Sequence, residues 1–218
     1  CTVSSVMLSS GITDSPCVAT ERRRLCASIS CRMVWVPVPI TLTMVTDPNG
    51  FDKSWTPLSR IDRTMVSAVI AGEDAKFCSH NGFDTEAIEK ALERNAQGRR
   101  LRGGSTISQQ TAKNVFLWQG TGWTRYARKG LEVWFTFLIE NIWGKRRIME
   151  VYLNIAETGI GTYGTNAGAQ RYFGHDASDL TPTEAARIAA IPERGACSTP
   201  AKRSRFLLSS SLSSLSLL

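Results

Sequence analysis

Residues 59–73 read SRIDRTMVSAVIAGE, and this stretch decides the fold. Ile61, Met65, Ala68 and Val69 fall at the i, i+4, i+7, i+8 spacing that places apolar side chains on one face of a helix. The predicted helix begins at Ser59 and carries Glu73 near its C-terminal end. Outward from it, helical punctuation returns. Asp84 can cap a helix bearing Ala87, Ile88, Ala91 and Leu92 that stops at Gly98. Gly103-Gly104 permits a tight turn, with Ser105 or Thr106 as N-cap of a third helix. The longest predicted helix runs from Trp123 to Trp143 and ends at Gly144, and Val133 to Ile139 within it is apolar almost all round. A helix from Lys145 to Leu153 follows. A loop with Gly159, Gly161, Gly164 and Gly168 leads to a short segment ending at Phe173-Gly174. Thr181-Pro182-Thr183-Glu184 is a capping box with proline at the first helical position, predicting a helix through Ala190. No stretch shows the strict alternation of a half-buried strand, so the expected fold is mainly α-helical.

The 218 residues suit one domain with a proper core. A formal charge of +7 predicts an acidic partner: nucleic acid, an anionic membrane or a phosphorylated ligand. The Lys145-Arg146-Arg147 cluster can approach anionic headgroups or solvate a helix start. Aromatics are not interleaved with it, which argues against nucleic acid. Cys1, Cys17, Cys26, Cys31, Cys78 and Cys197 contain no Cys-x-x-Cys pair, and with two histidines a zinc site is not expected. They read as free thiols or an accidental cluster rather than a disulfide framework. No run approaches the roughly 18 apolar residues of a membrane span.

Residues 1–32 carry no helical or strand periodicity and are expected to be disordered. Residues 33–56, broken by Pro37 and Pro39, read as a remnant of a membrane-proximal linker. Residues 57–192 hold the pattern of the domain. Residues 193–218 end in a leucine and serine tail that is expected to be disordered.

Glu73 is the first catalytic candidate. A carboxylate beside Phe77 and an apolar helix loses solvation, which raises its pKa toward the range of a general base. The plainer reading pairs it with Lys76 or Arg63. Asp74 can orient its neighbours or stay solvated, and His80 fits best as a satisfied loop histidine ordering the turn before Gly82. In the 103–114 block, backbone N–H groups at a helix N-terminus form a natural anion site. Thr106, Gln110 and Lys113 can share one groove there; the alternative is a capped amphipathic helix with a solvated lysine. Arg128, Glu132, Thr136 and Glu140 recur every four residues as one polar stripe, which should face water or a ligand. The apolar face around Trp134, Phe135 and Phe137 reads as core, or as a surface for docking on a membrane.

These blocks resemble the signature motifs of the family 51 glycosyltransferases that polymerise bacterial peptidoglycan. Residues 72–82 and 103–114 resemble the first two motifs, and residues 128–132 (RKGLE) the third. Residues 145–154 (KRRIMEVYLN) resemble the fourth and residues 161–173 the fifth. All five occur in order, and the wording is closest to monofunctional members, which lack a transpeptidase domain. The resemblance implies a lysozyme-like helical glycosyltransferase domain at the periplasmic face of the bacterial inner membrane. It implies lipid II and the growing glycan strand as substrates, with undecaprenyl diphosphate released and inversion at the anomeric carbon. Glu73 would be the base, and Glu132 would assist at the donor side. Lys113 and Arg128 would neutralise the diphosphate; Ser105, Thr106, Gln109 and Gln110 would line the cleft; Asp74, Phe77 and His80 would shape the Glu73 region. The family allows a divalent cation, Mg or Mn, which the sequence does not require, and no organic cofactor. Expected partners are the membrane surface and cell-wall synthesis and division proteins, not nucleic acid. The family's membrane helix is not found, and both ends of the chain depart from its pattern in a way that reads as slips of reading frame.

Two other functions compete: a glycan-cleaving hydrolase of similar fold, and an inactive basic remnant that binds anionic lipid. Lys113, Arg128 and Lys129 argue against the hydrolase, because a neutral glycan offers no diphosphate. Both carboxylates, standing in complete motifs, argue for chemistry.

Overall fold

The computed structural model describes residues 37–96, 104–118 and 124–191. The expectations for residues 1–32 and 193–218, for Gly98, Gly103 and Trp123, and for the Ala91 and Leu92 side chains lie outside what is described. The described residues form helices α1 (Leu42–Val45), α2 (Arg63–Glu73), α3 (Thr85–Ala96), α4 (Ile107–Phe116), α5 (Thr124–Ile142), α6 (Gly144–Ile155), α7 (Thr165–Phe173) and α8 (Pro182–Ala189). Three short strands, β1 (Asp52–Lys53), β2 (Glu157–Gly159) and β3 (Thr162–Tyr163), make one small sheet.

Helix α6 is the axle of the domain. Every residue from Arg147 to Ile155 is buried, as expected of a helix packed on all sides. Its polar residues are not wasted there. Asn154 Oδ1 accepts the Thr56 N–H at 2.7 Å and its Nδ2 donates to the Thr56 carbonyl at 2.8 Å. Glu150 Oε1 accepts the Leu58 N–H at 3.0 Å, and Glu150 Oε2 pairs with Arg147 at 2.6 Å. The helix thus satisfies backbone groups of residues 56–58 that burial would otherwise orphan. Around it pack Met65 and Val69 of α2, Ile107 of α4, Ile139 of α5 and Ile188 of α8, with Phe77 between. A second cluster joins Met44 to Val151, Ile155 and Tyr163.

The apolar face of α2 is as expected, with Ile61, Met65 and Val69 buried and Ala68 half-buried. Its start is not. Ser59 lies in a 3-10 turn over Leu58–Arg60, and Asp62 is the N-cap, accepting the Thr64 N–H at 2.8 Å. The Asp62 N–H is itself held by the Ala177 carbonyl at 2.9 Å, which fixes where the chain turns into the helix. The caps predicted at Asp84 and Thr181 both form: Asp84 accepts the Ala87 N–H at 3.0 Å, and the Thr181–Glu184 box is reciprocal.

The sheet has order β1-β3-β2, with β1 parallel to β3 (Asp52↔Thr162) and β2 antiparallel to it (Glu157↔Tyr163). Strands of two or three residues are too short to show an alternation, which is why the sequence predicts none. Gly168, expected in the glycine loop, lies inside α7, where a Cβ would stand 2.8 Å from Thr158 Oγ1. Tyr163 donates to Asp47 Oδ2 at 2.7 Å, tying the sheet to the segment after α1. Burial and that bond push the Tyr163 hydroxyl pKa up.

The basic cluster at the start of α6 is turned inward rather than to solvent or headgroups at two of its three positions. Arg147 is buried against Glu150 and lies 5.3 Å from the Trp55 ring. Lys145 pairs with Glu140 at 2.6 Å and sits 4.6 Å from the Phe77 ring. Cys78 also differs from expectation: it is disulfide-bonded, not a free thiol. The other five cysteines lie outside the described residues. Among the described residues no helix is long and apolar enough to cross a membrane.

Candidate active site

Glu73 is the last residue of α2, and the turn that follows is tightly determined. Asp74 is 7% exposed. Its Oδ2 accepts the Ile107 N–H, the first of α4, at 3.1 Å, and its Oδ1 meets His80 Nε2 at 2.9 Å. The Gly82 N–H can only donate, and it faces His80 Nδ1 at 3.2 Å. That assigns the ring proton to Nε2, which donates to Asp74. His80 is therefore the satisfied loop histidine of the sequence reading. Gly82 has φ +90°, and a Cβ there would meet Thr136 Cγ2 at 2.8 Å, so the turn lies flat on α5.

Helix α4 starts with a complete capping box. Thr106 Oγ1 accepts the Gln109 N–H at 3.2 Å, and Gln109 Oε1 accepts the Thr106 N–H at 3.0 Å. Thr106 Oγ1 also donates to the Gly82 carbonyl at 2.6 Å. One turn on, Gln110 Nε2 donates to Glu73 Oε2 at 2.7 Å. Lys76, one of the two ordinary partners weighed for Glu73, pairs with Glu86 instead.

Helix α5 is inside out. Its outward face carries Tyr126, Leu131, Val133, Trp134, Phe137 and Ile142, each 42–82% exposed. Arg128, Glu132, Thr136 and Glu140 point inward: Glu132 is 3% exposed and Thr136 fully buried. The stripe faces α4 and the Glu73 turn instead of water. Thr136 supports Gly82, and Glu140 Oε1 accepts from Ser108 Oγ and from Lys145 Nζ. The aromatic face, read first as core, is half open: Phe135 stacks on Phe116 at 4.7 Å, while Trp134 and Phe137 lie outside.

Between α4 and α5 lies a cavity of about 450 Å³ lined by Ser105, Gln110, Lys113, Arg125, Tyr126, Arg128, Lys129 and Glu132. Four cations face one carboxylate. Glu132 Oε1 contacts Lys129 Nζ at 2.5 Å, and its Oε2 is 3.6 Å from Arg128 Nη1. The Arg128 side chain is 13% exposed, and its Nε and Nη1 are buried without a hydrogen-bond acceptor among the described residues. Such donors are costly unless an oxygen arrives to take them. Burial lowers the Lys113 pKa; Arg128 and Lys129 push the same way, while Glu132 and Glu73 oppose it. Lys113 thus feels both carboxylates.

The structure brings Glu73, Ser105, Gln110, Lys113, Arg128 and Glu132 together at or beside the cavity. Asp74, Phe77, His80, Thr106 and Gln109 form the layer beneath, holding the turn and the helix cap. The sequence reading misses Arg125 and Tyr126 and counts Lys129 only as a cation that argues against a hydrolase, although Arg125 and Lys129 share the three- and four-residue spacing that puts Arg128 and Glu132 on one helix face. Among the described residues no three His, Cys, Asp or Glu side chains converge as metal ligands. A divalent cation at Glu132 would compete with Lys129 and Arg128.

The Transglycosylase family model matches residues 41–212. The chain is similar to a biosynthetic peptidoglycan transglycosylase of Caulobacter vibrioides, 56% identical over 160 residues covering 72% of this chain and 69% of that protein. A protein of the same name from Xanthomonas campestris is 57% identical over 137 residues, covering 63% and 54%. One from Rhodospirillum centenum is 49% identical over 161 residues, covering 72% and 68%. The chain thus spans 54–69% of the length of these relatives.

Proposed function

Because the chain belongs to the transglycosylase family, we propose that it is a peptidoglycan glycosyltransferase that joins lipid II units into glycan strands. The observation that carries this reading is the cavity lined by Lys113, Arg125, Arg128 and Lys129, beside a carboxylate oriented by Gln110. The diphosphate of a polyprenyl-linked donor supplies the negative charge that such a cation set would hold. Glu73 takes the proton from the 4-hydroxyl of the acceptor sugar as that oxygen attacks the anomeric carbon of the donor. The carbon–oxygen bond to the diphosphate breaks with inversion, and its electron pair stays on the leaving oxygen. Lys113, Arg128 and Lys129 stabilise that charge in a site of low dielectric. Glu132 keeps two of these cations at the donor side.

The outward face of α5 supports a second element of the reading. A helix that turns Glu132, Thr136 and Glu140 inward and shows Trp134 and Phe137 is suited to lie on a lipid surface, which supports a cavity that works close to a membrane-anchored polyprenyl carrier. The work belongs to the cell envelope, at the outer face of the cytoplasmic membrane.

The test is polymerisation of labelled lipid II in detergent, comparing the chain with Glu73→Gln. Polymer from the parent and none from the variant is expected. Reducing ends or anhydro-sugars released from isolated cell wall, without lipid II consumption, would favour the hydrolase. A folded parent that makes no polymer yet binds anionic vesicles would favour a binding protein.

A further inference from the structure

Glu140 and Lys145 are buried charges that the proposed chemistry does not use, with side chains 8% and 12% exposed. A buried pair gains little stability in itself, since desolvation offsets its attraction. Its surroundings suggest a use. Lys145 Nζ lies 4.6 Å from the centroid of Phe77, which is fully buried in the turn that begins at Glu73. Phe77 in turn meets His80 edge-on at 6.5 Å, and His80 holds Asp74. Glu140 Oε1, besides pairing with Lys145, accepts from Ser108 of α4, and Glu140 Cγ would be 3.1 Å from a Cβ on Gly82. The middle of the turn, at Phe77, and its far end, at Gly82, therefore rest on one ion pair.

We propose that Lys145, with Glu140 as its counter-ion, is a positioning residue for Glu73. Its ammonium seats the Phe77 ring by cation–π attraction and so fixes the depth of the turn at whose head the base stands. It touches no substrate. The inference rests on the reading of Glu73 as the base.

Two measurements on the full chain test it. One is hydrogen exchange of residues 74–82; the other is lipid II polymerisation with kcat and KM separated. Lys145→Met is expected to exchange about tenfold faster in that segment. Its kcat should fall by about 10²-fold, as for a catalytic group displaced by about 1 Å, with KM within about twofold of the parent. Lys145→Arg should retain both protection and rate. Because Lys145→Met strands Glu140, Glu140→Gln/Lys145→Met serves as the second variant: it should recover the melting temperature but neither protection nor kcat. Unchanged exchange in the double variant, or a rate loss that simply follows the melting temperature, overturns the proposal. So does failure of the double variant to fold, which would make the pair a stability element. If the parent itself makes no polymer, the functional reading fails while the exchange data still decide the role of Lys145.

Discussion

Gln110 Nε2 donates to Glu73 Oε2 at 2.7 Å, joining the second turn of α4 to the final residue of α2. The candidate base therefore does not swing on a frayed helix end; its orientation is set by a helix that is itself fixed by a capping box. Removing the carboxylate and removing its holder should differ in degree. Glu73→Gln should cost about 10²–10⁴-fold in kcat, the range of a lost general base. Gln110→Ala should cost about tenfold, with KM little changed, as expected for loss of one hydrogen bond to a charged group. Steady-state polymerisation kinetics compare the two. Equal losses would mean that Gln110 does more than orient.

Lys113 sets function against stability. Its pKa lies below the ordinary lysine value, chiefly through burial, so its charge is a cost to the folded state. The unfolded chain holds more protons between the folded pKa and 10.5, and this group's contribution to stability therefore rises with pH across that window. Lys113→Met should have a melting temperature at pH 7 equal to the parent's or higher. Its kcat should fall by about 10²–10³-fold, as for loss of a group that stabilises developing charge. Thermal melts alongside kinetics read both. A clear drop in melting temperature would identify Lys113 as a structural partner of the carboxylates.

Gly82→Ala is expected to destabilise the domain by about 3 kcal/mol, from a strained φ and forced repacking against α5. The added methyl would stand 2.8 Å from Thr136 Cγ2 and 3.1 Å from Glu140 Cγ, on a residue with φ +90°. Urea unfolding measures it; a loss within experimental error would show that the turn can lift off the helix freely.

Trp134→Ser/Phe137→Ser should leave the melting temperature unchanged, since these rings are 58% and 56% exposed. Partition onto vesicles should fall by about tenfold or more, given the apolar area that each ring can bury. Sedimentation with vesicles checks this. Unchanged partition would mean that another surface meets the lipid.

Lys53 gives a pH test far from the cavity. Burial pushes its pKa down to about 8, and Nζ donates to the Val38 and Pro39 carbonyls above the Trp55 ring. Between about pH 8 and 10.5 the unfolded chain binds the extra proton, so stability from this group increases with pH and is complete only near 10.5. The difference in urea midpoint between the parent and Lys53→Met should therefore change steadily from pH 8 to 9.5. A difference that does not vary with pH would show Lys53 keeping an ordinary pKa.

Much of this molecule is legible along the chain. Helix α2 with Glu73 at its end, the Asp84 cap and the Thr181–Glu184 box are local features, written in spacing and in residues that bond to their own neighbours. The Thr106–Gln109 box is equally local, but the sequence reading offers Ser105 or Thr106 as the cap without its reciprocal partner. Helix α5 marks the limit. Periodicity separates its polar stripe from its apolar face but does not say which one is inside. That depends on Ser108 and Gly82, which lie far away in sequence, and on Lys145 just beyond the helix end, which together satisfy the buried stripe. The inward turn of Lys145 and Arg147 escapes for the same reason, since their partners Phe77 and Trp55 come from distant segments.

The way α6 and the small sheet hold the segment 47–62 constrains how the domain can be assembled. Asp47, Asp52, Thr56, Leu58 and Asp62 find long-range hydrogen-bond partners at Tyr163, Gly161, Asn154, Glu150 and Ala177. None of these partners exists while the first two thirds of the described chain are being made. The early segment can dock only once residues 150–177 are available, so its closure carries a loop-closure cost set by about 100 intervening residues. Residues 47–62 are thus the part of the domain whose folding depends most on segments distant in sequence, and the part that a cut between residues 118 and 124 would strand.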